Sequence, residues 1–189
     1  MGLTQIQVTF NVYVTSFERL VKDIITNLFI RKWIQIEKKN VVSVEDSMLP
    51  EIIRIQSESF GTKSQNGVKR YSKRMKKIFY VTKSYDQVVG YCIYYLKPVL
   101  SLKGFKKKSV IYSISIDKDF RRKHHGENLL KESIKEMRLN GISSILLYAN
   151  TENLPAIKLY EKVGFKKIKE IKDICGSKET CYEMELRIL

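Results

Sequence analysis

Cysteine and proline are scarce in this chain of 189 residues, with three of each, and neither residue type forms a recognisable motif. Cys92, Cys175 and Cys181 contain no pair separated by two residues, and the two histidines stand side by side. Zinc sites need cysteine and histidine ligands at characteristic short spacings, so the sequence predicts no metal site. Cys175 and Cys181 flank a turn-forming stretch and could face each other across a hairpin. Reduced thiols are expected in a cytoplasm, and a disulfide between these two cysteines stays open.

Long apolar runs are also missing. No stretch approaches the roughly 20 apolar residues that a membrane-spanning helix requires. The first residues, "MGLTQIQVTFNVYV", have no basic leader before an apolar block and no small-residue cleavage site, which makes them a poor signal peptide. The sequence therefore predicts a cytoplasmic protein with no membrane partner.

Acidic residues are outnumbered, with 20 Asp and Glu against 35 Lys and Arg and a net charge of +15. One interpretation is a composition rich in lysine. The other is attraction to an anion such as a nucleotide cofactor, RNA or an acidic peptide. Because the lysines are scattered along the chain, the first interpretation is favoured for most of the charge. Nucleic-acid contact through the basic surface stays open but is not favoured, and a polyamine would be repelled unless its pocket were acidic.

Residues 1–36 have a pattern of their own. Apolar residues alternate in a period typical of a strand at Ile6, Val8, Phe10, Val12 and Val14. A helix is then predicted, with an apolar stripe of Phe17, Leu20, Val21, Ile24, Ile25 and Leu28. We expect this stripe to be buried against the protein's own domain or against a second subunit in a homodimer. Residues 1–36 are accordingly treated as an N-terminal extension and residues 37–189 as the main domain.

The main domain alternates between strand and helix patterns. A short strand near residue 41 is followed by a helix that Asp46 or Ser47 is predicted to cap. Three strands then follow: "IFYVTK", "VVGYCIYYLKPVL" and "KKSVIYSISID". A helix to Asn140, the strand "ISSILLYAN", a helix ending at Gly164 and a closing hairpin complete the chain. This order predicts an α/β domain with a mixed, largely antiparallel central sheet flanked by helices.

The segment "SISIDKDFRRKHHGENLL" combines a strand, a charged turn and the start of a helix. The first N–H groups of a helix have no helical partner, and the helix dipole favours an anion beside them. Gly126 allows close approach of a ligand, and cationic side chains surround it. The segment is therefore suited to a pyrophosphate, although a solvated basic loop would have the same composition.

The segment "LLYANTENLPAIKLYEKVGF" adds a second pattern. Asn153 lies at the start of a predicted helix and Tyr160 two turns later, so both point to one side. Gly164 and Phe165 are typical of a helix C-terminus followed by a residue that returns to the core. On its own, a tyrosine such as Tyr160 is more often an ordinary half-buried aromatic than a functional residue.

Together, in this order and spacing, the two segments resemble the GCN5-related N-acetyltransferase (GNAT) superfamily. The pattern Asn-x-x-Ala-x-x-x-Tyr-x-x-x-Gly-Phe is complete at residues 153–165, and Arg121 and Gly126 match the preceding loop motif. The resemblance covers residues 39–189. Within the superfamily, the chain looks most like the branch that acetylates protein N-termini, including ribosomal-protein alanine acetyltransferases.

The resemblance implies an acetyl-CoA-dependent enzyme and assigns its site. The strand backbone at Ile114, Ser115 and Ile116 is expected to bond the pantetheine arm, and Asn153 and Tyr160 are expected near the thioester. Tyr160 is the expected general acid for the leaving thiolate. The sheet is expected to splay between the strands at residues 110–117 and 142–149. The pyrophosphate is expected at the loop formed by Arg121, Arg122, Lys123, His124, His125, Gly126 and Glu127.

Two positions depart from the superfamily's pattern. His124 replaces a glycine and cannot take a positive φ cheaply, so we expect the loop to be right-handed throughout. Tyr148 stands where relatives that act on protein N-termini carry Glu or His as general base. Glu58, or a water held by Tyr148, is the substitute candidate.

The sequence leaves the acceptor open. The leading hypothesis is acetyl transfer to a peptide or protein amine. The alternatives are acetyl transfer to a small amine or polyamine, and a CoA-binding or nucleic-acid-binding module without turnover.

Overall fold

A computed structural model describes residues 24, 26–38, 40–61, 65–101, 104–176 and 178–188. Seven strands form one sheet: β1 (Val41–Ser43), β2 (Phe79–Ser84), β3 (Gln87–Ser101), β4 (Gly104–Ile116), β5 (Ile142–Asn150), β6 (Lys166–Lys172) and β7 (Thr180–Arg187). The helices are α1 (Leu49–Phe60), α2 (Gln65–Arg74), α3 (His125–Leu139) and α4 (Leu154–Val163). The strand predicted over residues 6–14 lies outside the described residues.

The sheet order is β1-β2-β3-β4-β5-β7-β6, and only β4 and β5 are parallel. The predicted mixed and largely antiparallel sheet is therefore confirmed. Helices α1 and α2 pack on one face of the sheet, where Ser113 bonds Gln56 of α1. Helices α3 and α4 pack on the other, where the Tyr94 and Ser133 hydroxyls lie 2.7 Å apart. Alternation along the strands explains the two layers, since neighbouring residues point to opposite faces.

Helix α1 begins differently from the prediction. A single 3₁₀ turn, Asp46–Met48, precedes it, and α1 starts at Leu49 with Pro50 in its first turn. Neither N-cap position, Glu45 or Met48, makes a side-chain cap bond, so the predicted cap by Asp46 or Ser47 is wrong. The proline at the start of the helix is tolerated because no helical carbonyl is available to its position.

The described part of the N-terminal segment packs against the end of α3. Glu136 is completely buried and accepts hydrogen bonds from Trp33 Nε1 at 2.8 Å and from Tyr80 Oη at 2.8 Å. Its second oxygen accepts from the Ile36 N–H at 3.1 Å and from the Lys38 ammonium. A buried carboxylate is stable only when paired and hydrogen-bonded, and these four donors meet that need.

The predicted apolar stripe is not buried where it can be followed. Ile24 and Leu28 are 50% and 59% exposed, which corrects the expectation for these two residues. The opposite side of the short helix over residues 26–30 is buried instead. Thr26 bonds both the N–H and the C=O of Leu96, at 3.1 and 3.2 Å. Phe17, Leu20, Val21 and Ile25 lie outside the described residues. The domain boundary after residue 36 stays a prediction.

The closing hairpin is covalently linked. Cys175 and Cys181 form a disulfide between the β6–β7 connection and the start of β7, in place of the reduced thiols expected from the sequence. Cys92 is free and fully buried in β3. Among the described helices, none is long and apolar enough to cross a membrane.

Candidate functional site

An opening in the sheet lies between β4 and β5. The two strands pair in parallel only as far as Val110 and Leu146. Just beyond this point the register of β4 against β3 shifts, leaving Tyr112 without an opposite residue. A bulge of this kind bends its strand and increases the local twist. The bulge thus turns β4 away from β5, and the predicted splay is present.

The edge of β4 that faces the opening presents unpaired main-chain groups. The Asp117 N–H donates to Val89 O of β3 at 2.8 Å. Alternate residues of an antiparallel strand direct their N–H and C=O groups to opposite sides. The groups of Ile114 and Ile116 therefore face the opening, whereas those of Ser115 are directed to Tyr91 of β3. The register therefore contradicts the expectation that the main chain of Ser115 bonds a ligand in the opening.

The loop before α3 presents a run of main-chain N–H groups. Arg122 and His124 have φ values of +60° and +62°, so the expectation of a right-handed loop is wrong. His124 is the N-cap of α3 and adopts this left-handed conformation, although it is unfavourable for a residue with a side chain. Among the described residues, no main-chain partner is found for the N–H groups of 122–127, and the first bond is Asn128 N–H to His124 O at 3.0 Å. Successive free N–H groups in such a loop, at a helix N-terminus, bind anions.

Glu127 organises the cations around this loop. Its carboxylate contacts Lys131 Nζ at 2.8 Å, Lys162 Nζ at 2.7 Å and His124 Nδ1 at 3.0 Å. The hydrogen bonds from Lys131, Lys162 and His124, in that order, lower the pKa of Glu127 to about 2. Because Lys162 belongs to α4, Glu127 ties α4 to the first turn of α3. For His125, burial and then Lys123 lower the pKa, which favours a neutral imidazole.

Gly126 packs closely against side chains of β4 and α4. A Cβ added there would lie 3.2 Å from Leu159 Cδ2 and 3.4 Å from Ile116 Cγ1. The missing side chain thus lets the first turn of α3 approach β4 and α4. This contact holds the loop beside the open edge of β4.

Asn153 and Tyr160 lie at the start and near the end of α4. Asn153 Oδ1 accepts from the Ala156 N–H at 3.3 Å and caps the helix. Tyr160 is 7% exposed, and its ring meets Phe165 at 5.9 Å between centroids. Among the described residues its hydroxyl has no hydrogen-bond partner. Burial, and to a smaller extent Cys92, raises the pKa of Tyr160 well above the usual value of a phenol, so the hydroxyl keeps its proton.

Arg54 connects α1 to the end of β4. It contacts Glu58 at 2.8 Å, Glu51 at 2.9 Å and the Asp117 carboxylate. Asp117 also accepts from the Asp119 N–H at 3.0 Å, which shapes the turn before the loop. The predicted base Glu58 is thus engaged with a guanidinium on the surface of α1.

Arg121 lies beside the same turn. Its Nε donates to Ile116 O at 3.0 Å, and Nη2 lies 3.4 Å from Ser59 Oγ. The predicted loop residue therefore contacts the open edge of β4 through its side chain. The open edge carries the carbonyls of Ile114 and Ile116, and Arg121 is bonded to the carbonyl of Ile116.

The face of the sheet that carries α1 and α2 adds residues that the sequence did not identify. Tyr112 packs on Tyr71 of α2, with ring centroids 4.5 Å apart. Burial, followed by the phenols of Tyr71 and Tyr148, raises the pKa of Tyr95 to about 12. Tyr148 donates to Glu183 Oε2 of β7 at 3.1 Å. The alternation of Glu183 and Glu185 in β7 can be seen in the sequence. The residues that lie opposite them on the neighbouring strands cannot, because they depend on the register of the sheet.

Comparison with known proteins bears on this arrangement. The acetyltransferase (GNAT) family profile matches residues 47–165, which is more than half of the chain. The chain belongs to the acetyltransferase (GNAT) family. The GNAT family resemblance and the fold that it implied are therefore confirmed, and the acetyl donor that its members use is acetyl-CoA. Among the described residues there is no group of three or more His, Cys, Asp or Glu side chains that could hold a metal ion.

Individual GNAT relatives are distant. An N-alpha-acetyltransferase of Saccharolobus solfataricus is 32% identical over 111 residues, 56% of this chain and 66% of the relative. A [ribosomal protein bS18]-alanine N-acetyltransferase of Salmonella typhimurium is 34% identical over 58 residues, 31% of this chain and 39% of the relative. The chain thus spans two thirds or less of the length of these relatives.

A solved GNAT structure has the same fold. The crystal structure of Ard1 from Thermoplasma volcanium superposes with a TM-score of 0.67 at 20% identity, covering 79% of this chain and 97% of that protein. At this identity the likeness concerns the fold.

Proposed function

We propose that this chain transfers the acetyl group of acetyl-CoA to the N-terminal amine of a peptide or protein. The observation that carries the proposal is the opening between β4 and β5. On one face of the sheet, helices α3 and α4 carry the loop with free N–H groups and the buried Tyr160, and on the other face lie the partly exposed Tyr112 and Tyr148.

The residues on the first side fit acetyl-CoA. The free N–H groups of residues 122–127 and the α3 dipole suit a pyrophosphate. The cations Arg122 and Lys123 add attraction. On the open edge, Ile114 offers its N–H and C=O and Ile116 its N–H for the amides of the pantetheine arm, while the Ile116 carbonyl is bonded to Arg121. Asn153 caps α4 through Oδ1, which leaves its Nδ2 as a donor for a ligand.

The chemistry requires placement and two proton movements. A neutral amine attacks the thioester carbonyl, so orientation supplies much of the rate. The departing thiolate, with an ordinary pKa of about 8.5, is a weaker base than a tyrosinate with an ordinary pKa of about 10, so a neutral phenol stabilises it first as a hydrogen-bond donor, and solvent supplies the proton that the thiolate finally takes. Tyr160 fits this role because burial raises its pKa and keeps it protonated at neutral pH. Glu58 stays the sequence-based prediction for the proton acceptor.

A peptide suits the second side better than a polyamine does. Tyr112 and Tyr148 are 42% and 36% exposed and can contact a backbone through ring faces and hydroxyls. A polyamine would need several carboxylates to offset a chain of net charge +15. The relative from S. solfataricus is described as an N-alpha-acetyltransferase, which agrees with an α-amine acceptor.

The test is acetyl transfer by the purified full chain, followed by mass spectrometry. The acceptors are peptides with a free N-terminus, the same peptides blocked at the N-terminus but carrying a lysine, and a polyamine. We expect the acetyl group on the free N-terminal amine only. Acetylation of the polyamine or of the lysine alone would contradict the proposed acceptor, and no transfer to any amine would contradict the proposed activity.

A further inference from the structure

A carboxylate stands behind Tyr148 on the face of the sheet that carries α1 and α2. Tyr148 of β5 and Glu183 of β7 are direct cross-strand partners, so their side chains share one face of the sheet. The Tyr148 hydroxyl donates to Glu183 Oε2 at 3.1 Å. No other hydrogen bond or ion pair of the Glu183 carboxylate is found among the described residues. Its carboxylate is therefore committed to Tyr148 alone.

The pair lies at the acceptor side of the opening. Tyr148 comes two residues after Leu146, where the pairing of β4 with β5 ends. It is 36% exposed, while Glu183 behind it is partly buried. An incoming amine would thus meet the Tyr148 oxygen first and reach Glu183 only through it.

The electrostatics prevent Tyr148 from acting as a tyrosinate. Burial, and then the charge and hydrogen bond of Glu183, raise the pKa of Tyr148. A neutral phenol that donates to a carboxylate still has lone pairs to accept a proton. It can take one from an amine only if it passes its own proton on, and Glu183 is placed to receive it.

We propose that Tyr148 and Glu183 form a two-residue proton relay that replaces the single Glu or His base, an inference that rests on the proposed function. The amine nitrogen forms a bond to the acetyl carbon, and the carbon–sulfur bond breaks. The amine proton moves to the Tyr148 oxygen while the Tyr148 proton moves to Glu183. The thiolate accepts a hydrogen bond from Tyr160 and takes its proton from solvent, which also removes the proton from Glu183.

Other charged and polar groups lie near Glu183. Lys169 of β6 is its cross-strand partner on the other side. Glu185 follows on the same strand and the same face, and it is bonded to Lys108 at 2.9 Å. The phenol of Tyr95 approaches Tyr148 from β3. A change of Glu183 alone leaves all of these in place.

The kinetic test compares Glu183→Gln and Tyr148→Phe with the wild type on a peptide that the wild type acetylates. Each substitution should lower kcat by about 100-fold or more, with little change in the KM for acetyl-CoA. Because the two residues act as one unit, the double variant should be no slower than the slower single variant.

Matched controls separate the relay from other causes. Glu170→Gln removes an exposed carboxylate from the neighbouring strand β6 and should keep wild-type kcat. Glu58→Gln tests the rival base on α1. A Glu183→Gln variant with wild-type kcat overturns the relay, and so does a fall of kcat in Glu58→Gln that is absent in Glu183→Gln.

A second readout does not depend on the acceptor. With tyrosine labelled at the ring carbon that bears the hydroxyl, NMR follows the titration of Tyr148. Glu183→Gln should lower the pKa of Tyr148, because the charge and the hydrogen bond that raise it are removed or weakened. An unchanged titration means that the pair does not form and overturns the inference even if no peptide is acetylated. A failure of peptide acetylation with a shifted titration counts against the proposed function instead.

Discussion

The two sides of the opening between β4 and β5 are built in different ways. On the α3 and α4 side, the site consists of short contiguous segments, namely the loop 121–127 and the helix that runs from Asn153 to Tyr160. On the α1 and α2 side, single residues from α2, β3, β4, β5 and β7 converge. The first side presents main-chain groups and a buried phenol, whereas the second presents half-exposed side chains.

This difference corresponds to two requirements of the proposed reaction, namely binding of the acetyl donor and selection of the acceptor amine. Main-chain N–H groups at a helix N-terminus bind a pyrophosphate whatever side chains surround them. On the proposed function, the loop can therefore bind its ligand with His124 in place of glycine. The same proposal assigns the choice of amine and the removal of its proton to side chains on the other face.

The largest effect is expected at Tyr160. Tyr160→Phe removes the hydroxyl and keeps the packing against Phe165, so kcat should fall by about 100- to 10,000-fold. Acetyl-CoA affinity by calorimetry and the melting temperature should change little. In the wild type, no loss of rate from this residue is expected up to the usual pKa of a phenol, because burial raises the pKa of Tyr160. Wild-type turnover in Tyr160→Phe, with chemistry rate-limiting, would show that Tyr160 only packs.

The next effect concerns the affinity of the loop for acetyl-CoA. Arg122→Gln removes one cation beside the free N–H groups and should raise the Kd for acetyl-CoA by about tenfold at low salt. The difference should shrink as salt rises, since exposed charges are screened. Lys166→Gln, which removes an equally exposed cation from β6, is the control and should bind as the wild type does. Equal affinities in all three proteins would place the pyrophosphate elsewhere.

A smaller effect is expected from a substitution that disturbs only the second side of the opening. A Cβ at Gly67 of α2 would lie 2.2 Å from the Tyr112 hydroxyl oxygen and 2.9 Å from Cζ, so Gly67→Ala must displace this ring. The KM for the peptide should rise a few-fold while the Kd for acetyl-CoA stays unchanged. The exposed neighbour Asn66, changed to alanine, serves as control. A changed Kd for acetyl-CoA in Gly67→Ala would mean that the two sides are not independent.

The smallest effect is a pH dependence of stability at the loop. The pKa of Glu127 is lowered from 4.5 to about 2, so its contribution is fully present above pH 4.5 and is lost as the pH falls toward 2. Glu127→Gln should therefore melt below the wild type at neutral pH, and the two melting curves should converge near pH 2. A constant difference down to pH 2 would contradict the ion pairs with Lys131 and Lys162.

Local sequence patterns predicted the fold and the bounds of the helices on the first side well. The turn, helix start and C-terminal glycine are contiguous signals, and α3 and α4 begin and end within a residue or two of the prediction. The pairing of Tyr148 with Glu183 depends on the β5–β7 register, which involves residues 35 positions apart. No local pattern specifies that register. The sequence also suggested Glu58 as base, but it gave no sign that Arg54 of the same helix would hold it.

The direct measurement is a crystal structure of the protein with a conjugate in which CoA sulfur is joined through an acetyl group to the N-terminal nitrogen of a short peptide. We predict the pyrophosphate on the N–H groups of residues 122–127 and the sulfur beside the Tyr160 hydroxyl. The peptide should leave the opening on the face of Tyr112 and Tyr148, with its first nitrogen within hydrogen-bond reach of the Tyr148 oxygen. A peptide that leaves on the α3 and α4 face, or a pyrophosphate bound away from the loop, would contradict the account.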